Sequence, residues 1–185
     1  KKTILIVGGS LGARTLNNCV MNSMKMIKDS GVQFIWQTGK YYINEARECF
    51  NNAGKPGMTH ITDFISDMNA AYSAADLVIS RAGAGSISEF CILGKPVILV
   101  PSPNVAEDHQ TKNAMALVNK NAAIYIKDSE AEQKLIETAI KVVNEEDRLN
   151  SLSENIKKLA FYNSADIIAE EVCKLADKYK NENGH

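Results

Sequence analysis

Six short apolar runs, each followed by a stretch of helical length, constrain this chain more than any other feature. They are Thr3–Val7 (TILIV), Gln33–Gln37 (QFIWQ), Met58–Ile61, Asp76–Ser80, Pro96–Val100 and Ala123–Ile126. Runs this short, rich in Val, Ile and aromatic side chains, have the length of strands, and apolar strands of this kind belong to a sheet covered on both faces. Between them, Leu16, Val20, Met24 and Ile27 fall on one helix face that ends at Gly31. Tyr42–Asn52 is a second helix, stopped by Gly54, Pro56 and Gly57, and Asp67–Ala74, Ile87–Leu93 and Gln110–Asn119 follow. After the last strand, Leu135, Ile136, Ala139, Ile140 and Val143 mark one helix face and Asp147–Leu159 forms another helix. Ser164 caps a last helix carrying Ile168, Val172, Leu175 and Ala176, and Asn181–His185 reads as a frayed tail. The alternation predicts an α/β fold, a Rossmann-like parallel six-stranded sheet with helices on both faces.

Composition removes several function classes. Lys and Arg total 21 against 22 acidic residues, so no basic field points to nucleic acid. Apolar runs such as Ile4–Val7 and Val97–Val100 fall far short of the ~20 residues a membrane span needs, and no signal peptide is visible. Cys19, Cys49, Cys91 and Cys173 form no CxxC pair and have no histidine at metal-ligand spacing, so they read as free thiols of a reducing compartment. The chain opens Lys1-Lys2-Thr3 straight into a strand, which reads as one domain of a longer protein.

Gly8-Gly9-Ser10-Leu11-Gly12-Ala13-Arg14 stands where a dinucleotide fingerprint would stand, yet Ser10 and Ala13 replace the second and third glycines. The acid that would hold a ribose near the end of the second strand is also absent, since that strand ends Gln37-Thr38-Gly39. NAD is therefore disfavoured. Two readings of Gly8, Gly9 and Gly12 stay open: close approach of a ligand to backbone, or a tight turn alone. Arg14 reads equally as a phosphate contact or a solvated helix charge. Neither Lys55 nor Lys95 has Walker spacing, and no Asp-x-Asp occurs, so a metal-bridged diphosphate has no support.

The stretch from Ile79 to Ala114 carries the most chemistry. Ala82-Gly83-Ala84-Gly85-Ser86 leads into a helix whose first amides suit an anion. Beside it, the loop after the fifth strand offers Asn104, Glu107, Asp108, His109 and Gln110, which suit a hydroxyl-rich group. A phosphate acceptor next to a polyol reader suggests a nucleotide-sugar site. Two tasks compete for Glu89. Ser86-x-x-Glu89 is a capping-box pattern, and a carboxylate also accepts well from two vicinal ribose hydroxyls. Spacing alone favours the cap. Asp63 is positioned to cap the Phe64-Ile65 turn, Arg81 reads as structural or as support for the glycine loop, and Trp36 and His60 read as structural.

GGSLGAR, DFISDMNAAYSAADLVISRAGAGSISEF and GKPVILVPSPNVAEDHQTKNA, in this order and spacing, resemble the MurG family. Its members are bacterial transferases that move N-acetylglucosamine from UDP-GlcNAc to undecaprenyl-diphospho-muramoyl-pentapeptide, converting lipid I to lipid II. The resemblance covers nearly the whole chain, but only the C-terminal, donor-binding half of that family's two-domain GT-B fold. It implies a UDP-sugar domain over residues 1–163, with 164–185 packing on an absent N-terminal acceptor domain. It implies Ser10 near the diphosphate, Ile65 at the uracil edge, and Ala84, Gly85 and Ser86 as phosphate-binding amides. Glu89 moves to the ribose hydroxyls, and His109 and Gln110 become sugar readers. Gly9, Leu11, Gly12, Arg14 and Phe64 are second candidates. The implied partners are UDP-GlcNAc, the absent domain and lipid I at the inner face of the bacterial membrane, with the catalytic base in the absent domain and neither cofactor nor metal. Other readings compatible with the pattern are a separate donor subunit, a UDP-GlcNAc 2-epimerase, or a non-catalytic nucleotide-sugar sensor.

Overall fold

In the computed structural model, which describes residues 1–9, 11–103, 108–162, 169–176 and 179, the six runs form one sheet. Its strands are β1 (Thr3–Val7), β2 (Gln33–Gln37), β3 (Met58–Thr62), β4 (Leu77–Ser80), β5 (Val97–Leu99) and β6 (Ile124–Tyr125). They pair in the order β3-β2-β1-β4-β5-β6, and every pairing is parallel. The chain winds outward from β1 to β3, crosses back to β4, and winds outward again. At that reversal the connections leave β1 and β4 toward opposite faces and open a crevice at the carboxyl edge.

The central strands β1, β4 and β5 are buried at every position because both faces are covered, whereas the edge strand β3 (MTHIT) is partly exposed. Ile4, Ile6, Phe34, Trp36, Leu77, Ile79 and Ile98 point to a layer made by α1 (Arg14–Asn22), α2 (Met24–Ser30), α3 (Ile43–Asn52) and α7 (Asp128–Val143). Leu5, Val7, Val78, Val97 and Leu99 point to α4 (Met68–Ala74), α5 (Ala84–Leu93) and α6 (His109–Val118). The last helix of this set, α8 (Glu146–Lys157), serves both layers: Leu149 and Leu152 join the first, Ile156 the second. Residues 169–176 are helical and exposed, whereas Ser164, Ile168 and Asn181–His185 lie outside the described residues. Among the described residues no helix is long and apolar enough to cross a membrane.

Three local results differ from the sequence pattern or sharpen it. The helix face running from Leu16 to Ile27 is split at Ser23, whose N–H donates to the Val20 carbonyl (3.1 Å) in a tightened turn, so α1 and α2 bury the same apolar stripe as two segments. Trp36 is fully buried as expected, and its indole N–H donates to Asn17 Oδ1 (2.9 Å). Asn17 in turn donates to the Thr38 carbonyl (2.9 Å), so a polar link ties α1 to the loop leaving β2. Finally, the loops after β1 and β2 meet backbone to backbone. Gly12 has φ +85°, and a Cβ there would stand 2.2 Å from the Thr38 carbonyl oxygen. Gly39 faces it at φ +78°.

The last third of the chain returns to its beginning. Asp128 accepts from Thr15 Oγ1 (3.1 Å), and Glu132 accepts from Asn18 Nδ2 (3.3 Å), both across the α1–α7 contact. At the opposite edge of the sheet, Lys2 reaches Glu146 at 2.6 Å and Asp76 at 3.6 Å.

Candidate functional site

A cleft of about 290 Å³ occupies the crevice at the carboxyl edge. Val7, Gly8 and Gly9 come to it from the end of β1, Gln37 from β2, and Ser80 and Arg81 from the end of β4. Phe64, Ile65, Met68 and Tyr72 come from the β3–α4 loop and α4, and Ser86 and Glu89 from α5. A larger groove of about 690 Å³ lies at the amino edge, where Ala123 leads into β6 at Ile124 and Glu145 is the N-cap of α8. Strand direction favours the smaller one, because open parallel sheets bind ligands outside the carboxyl ends of their strands.

Local sequence explains each contribution. At Gly9 (φ +80°) an added Cβ would meet nothing within 4 Å, so this glycine borders open space while Gly12 is used for close packing of protein on protein. Gly12 thus serves a close approach of protein to protein, while Gly9 leaves its side of the turn open. Asp63 accepts from the Phe64 N–H (3.0 Å), which turns the chain and presents Phe64 and Ile65 to the cleft. Asp67 then caps α4 by accepting from the Ala70 N–H (2.9 Å).

The helix α5 begins three residues before the expected Ile87. Gly83 is its N-cap, and the Ile87 N–H already bonds the Gly83 carbonyl (3.0 Å). The amides of Ala84, Gly85 and Ser86 therefore precede the first intrahelical bond and carry the positive end of the helix dipole. Ser86 sits inside the first turn, which rules out the capping box. Glu89 instead accepts from the Tyr72 hydroxyl through Oε2 (2.9 Å). Tyr72 is buried, with its ring edge-on to Phe90 at 5.8 Å. Burial first, then the Glu89 hydrogen bond and charge, pushes its phenol far above the ordinary value, so it stays a donor.

Behind the cleft, side chains lock the loops. Arg81 Nη1 donates to the carbonyls of Val100 (2.9 Å) and Pro101 (3.3 Å) and pairs with Asp128. That resolves Arg81 as a strut between the loops after β4 and β5 and helix α7. Gln110 Oε1 accepts from the N–H groups of Ala82 (3.2 Å) and Ser102 (2.9 Å), while Asn113 Nδ2 donates to the Ala82 carbonyl (3.1 Å).

The structure thus brings Gly9, Phe64, Ile65, Ser86 and Glu89 together, with Ala84 and Gly85 exposed on the adjoining turn. His109 is exposed at the first residue of α6, outside the cleft lining, and Gln110 reaches the site through the Ala82 backbone. Leu11 and Arg14 are exposed and Gly12 packs on Thr38, so none of these three lines the cleft. His60 is exposed on the edge strand β3. Ser10, Asn104 and Glu107 lie outside the described residues. Sequence reasoning missed Met68, Tyr72 and Asn113. The available signal was spacing: Met68 and Tyr72, four apart, share one face of a helix. Cys19, Cys49, Cys91 and Cys173 are unbridged, and among the described residues no three His, Cys, Asp or Glu side chains cluster as metal ligands.

Comparison with known proteins follows the same lines. The model of the glycosyltransferase family 28 C-terminal domain matches residues 3–168. A UDP-N-acetylglucosamine–N-acetylmuramyl-(pentapeptide) pyrophosphoryl-undecaprenol N-acetylglucosamine transferase of Phocaeicola vulgatus is 71% identical over 184 residues, covering 100% of this chain and 49% of the relative. Its Bacteroides thetaiotaomicron counterpart is 65% identical over 178 residues, with 96% and 48% covered. The crystal structure of Acinetobacter baumannii MurG superimposes with a TM-score of 0.81 at 30% identity, over 94% of this chain and 52% of that one. The chain thus spans about half the length of the relatives it matches.

Proposed function

Because the chain belongs to the glycosyltransferase family 28 C-terminal domain family, we propose that it is the donor-nucleotide half of an inverting transferase. The full enzyme would move N-acetylglucosamine from UDP-GlcNAc to undecaprenyl-diphospho-muramoyl-pentapeptide, working peripherally at the inner face of the membrane. One observation carries the reading. Glu89, held by Tyr72, faces the same cleft as Gly9, Ile65 and the uncapped first turn of α5. In this placement uracil lies at Phe64 and Ile65, ribose on Glu89, and diphosphate between the Gly9–Ser10 loop and the amides of Ala84, Gly85 and Ser86. The sugar extends toward His109 and Gln110. Since Gln110 Oε1 already holds two backbone amides, its NH₂ end is the part left to meet a sugar hydroxyl.

The chemistry assigned to this half is leaving-group stabilisation. As the acceptor hydroxyl attacks the anomeric carbon, the glycosidic C–O bond breaks and negative charge gathers on UDP. Fixed amides at a helix N-terminus meet that charge without reorganising, each contributing up to ~3–4 kcal/mol by analogy with oxyanion-hole donors. The acceptor site and general base belong to the N-terminal half, so this chain alone should bind donor and turn over little.

Calorimetric titration in metal-free buffer tests the reading. UDP-GlcNAc is expected to bind, UDP-GalNAc to bind less well, and NADH not at all, with EDTA making no difference. Loss of UDP-GlcNAc binding on chelation, or preference for NADH, would overturn the assignment. Glu89→Ala is expected to weaken UDP binding by about 1.5–3 kcal/mol, the range for a hydrogen bond to a charged group. Unchanged affinity in a folded variant would remove Glu89 from the site.

A further inference from the structure

We infer that Tyr72 is the positioning residue that makes Glu89 a reader of ribose, so that the Tyr72–Glu89 pair selects ribonucleotides over deoxyribonucleotides. The inference rests on the placement of ribose at Glu89 and adds to it a residue, a mechanism and a specificity.

Glu89 lies in the middle of α5 and is exposed, and a glutamate there has several rotamers open to it. Reading a vicinal diol requires one of them, because both hydroxyls must find carboxylate oxygen at hydrogen-bond distance together. The Tyr72 hydroxyl restricts that freedom. It belongs to a different helix, α4, and donates to Oε2 of Glu89 at 2.9 Å. Its own position is fixed, since Tyr72 is 5% exposed and its ring packs edge-on against Phe90, the residue next to Glu89. One packed unit thus holds the backbone that carries the carboxylate and the donor that orients it.

The stoichiometry of lone pairs suits the task. An ionised carboxylate has about four acceptor sites, and Tyr72 takes one of those on Oε2. Oε1 and the rest of Oε2 remain for two ribose hydroxyls. Tyrosine also adds no positive charge, so the carboxylate keeps its full strength as an acceptor. A lysine at the same position would compete for it as an ion pair. Both residues line the cleft, and Met68, one turn before Tyr72 on α4, lines it beside them.

Tyr72→Phe keeps the ring against Phe90 and removes only the hydroxyl. Affinities for UDP and for 2′,3′-dideoxy-UDP would be measured by titration calorimetry on wild type, Tyr72→Phe, Glu89→Ala and the double variant, with thermal unfolding as the check on folding. Wild type is expected to prefer UDP. Tyr72→Phe should weaken UDP binding about 2- to 10-fold, the span of a single net hydrogen bond, and leave dideoxy-UDP unchanged. In the Glu89→Ala background the same substitution should cost nothing. Equal weakening toward both nucleotides, or the same loss with Glu89 already absent, would mean that Tyr72 only packs the cleft, and the inference fails alone. If wild type does not distinguish the two nucleotides, the ribose placement itself fails and takes the inference with it. Should Tyr72→Phe melt too early to titrate, Tyr72→3-fluorotyrosine keeps the ring and makes the phenol a stronger donor: a change in affinity for UDP with none for dideoxy-UDP supports the inference, and an equal change toward both, or none toward either, overturns it.

Discussion

Gly12→Ala is expected to lower the stability of the chain by about 3–5 kcal/mol, enough to unfold much of a marginally stable domain. Two costs add. At φ +85° an L-residue sits in the left-handed region, a penalty of roughly 1–2 kcal/mol. The new Cβ would also stand 2.2 Å from the Thr38 carbonyl oxygen and 2.7 Å from the Tyr42 ring. Overpacking of that kind costs a further ~1–3 kcal/mol or more, and the upper end applies because the first obstacle is backbone. Urea unfolding reads the result as a lower midpoint with unchanged slope. Gly9→Ala is the control: it carries the φ penalty at +80° but meets nothing within 4 Å. It should cost only about 1–2 kcal/mol. Equal losses at the two positions would show that the close contact between the loops contributes nothing.

Arg81→Met should cost about 2–4 kcal/mol. Removing one member of a buried ion pair typically costs ~3–5 kcal/mol because the remaining charge is left without a partner. Here the two side chains keep 18% and 20% of their exposure, so water recovers part of that loss. The carbonyls of Val100 and Pro101 lose a donor as well. Adding Asp128→Asn to Arg81→Met should restore part of the stability, because the unpaired charge is then gone. A double-mutant cycle in which the two losses simply add would show that the pair is not coupled. Donor affinity should fall together with stability, since Arg81 braces the loop that leads into α5.

The fold was legible because it depends on the least ambiguous signal in the chain. Strands buried on both faces are near-continuous apolar runs, and runs such as Thr3–Val7 and Pro96–Val100 stand out against any background. The start of α5 was not legible for the opposite reason. Gly83, Ala84, Gly85 and Ser86 are small residues, two of them glycines with poor helix propensity. The apolar anchors of the helix, Phe90 and Cys91, lie well past that turn. Once the helix starts at Ala84, the spacing of Ser86 and Glu89 no longer describes a cap. The partner Glu89 does have, Tyr72, is 17 residues away and on another helix. No local rule reaches that far. Arg81 was ambiguous, and the backbone bonds of Gln110 went unseen, for a related reason: their partners lie in loops that approach only when the sheet is assembled.

The return of α7 to α1 has a consequence for how the chain acquires its structure. Asp128 and Glu132 are bonded to residues 113 and 114 positions earlier, and Ala131, Leu135, Ile136, Ala139, Val142 and Val143 complete the layer over Ile4, Ile6 and Trp36. A nascent chain that has emerged only as far as β5 therefore has one face of its sheet incompletely covered, with apolar surface waiting for a helix not yet synthesised. Contacts so distant in sequence slow folding and prolong exposure of sticky surface. The point of greatest vulnerability is thus the interval between the appearance of the cleft-forming loops and the arrival of α7: nearly all the site's residues exist before the helix that completes the layer behind them.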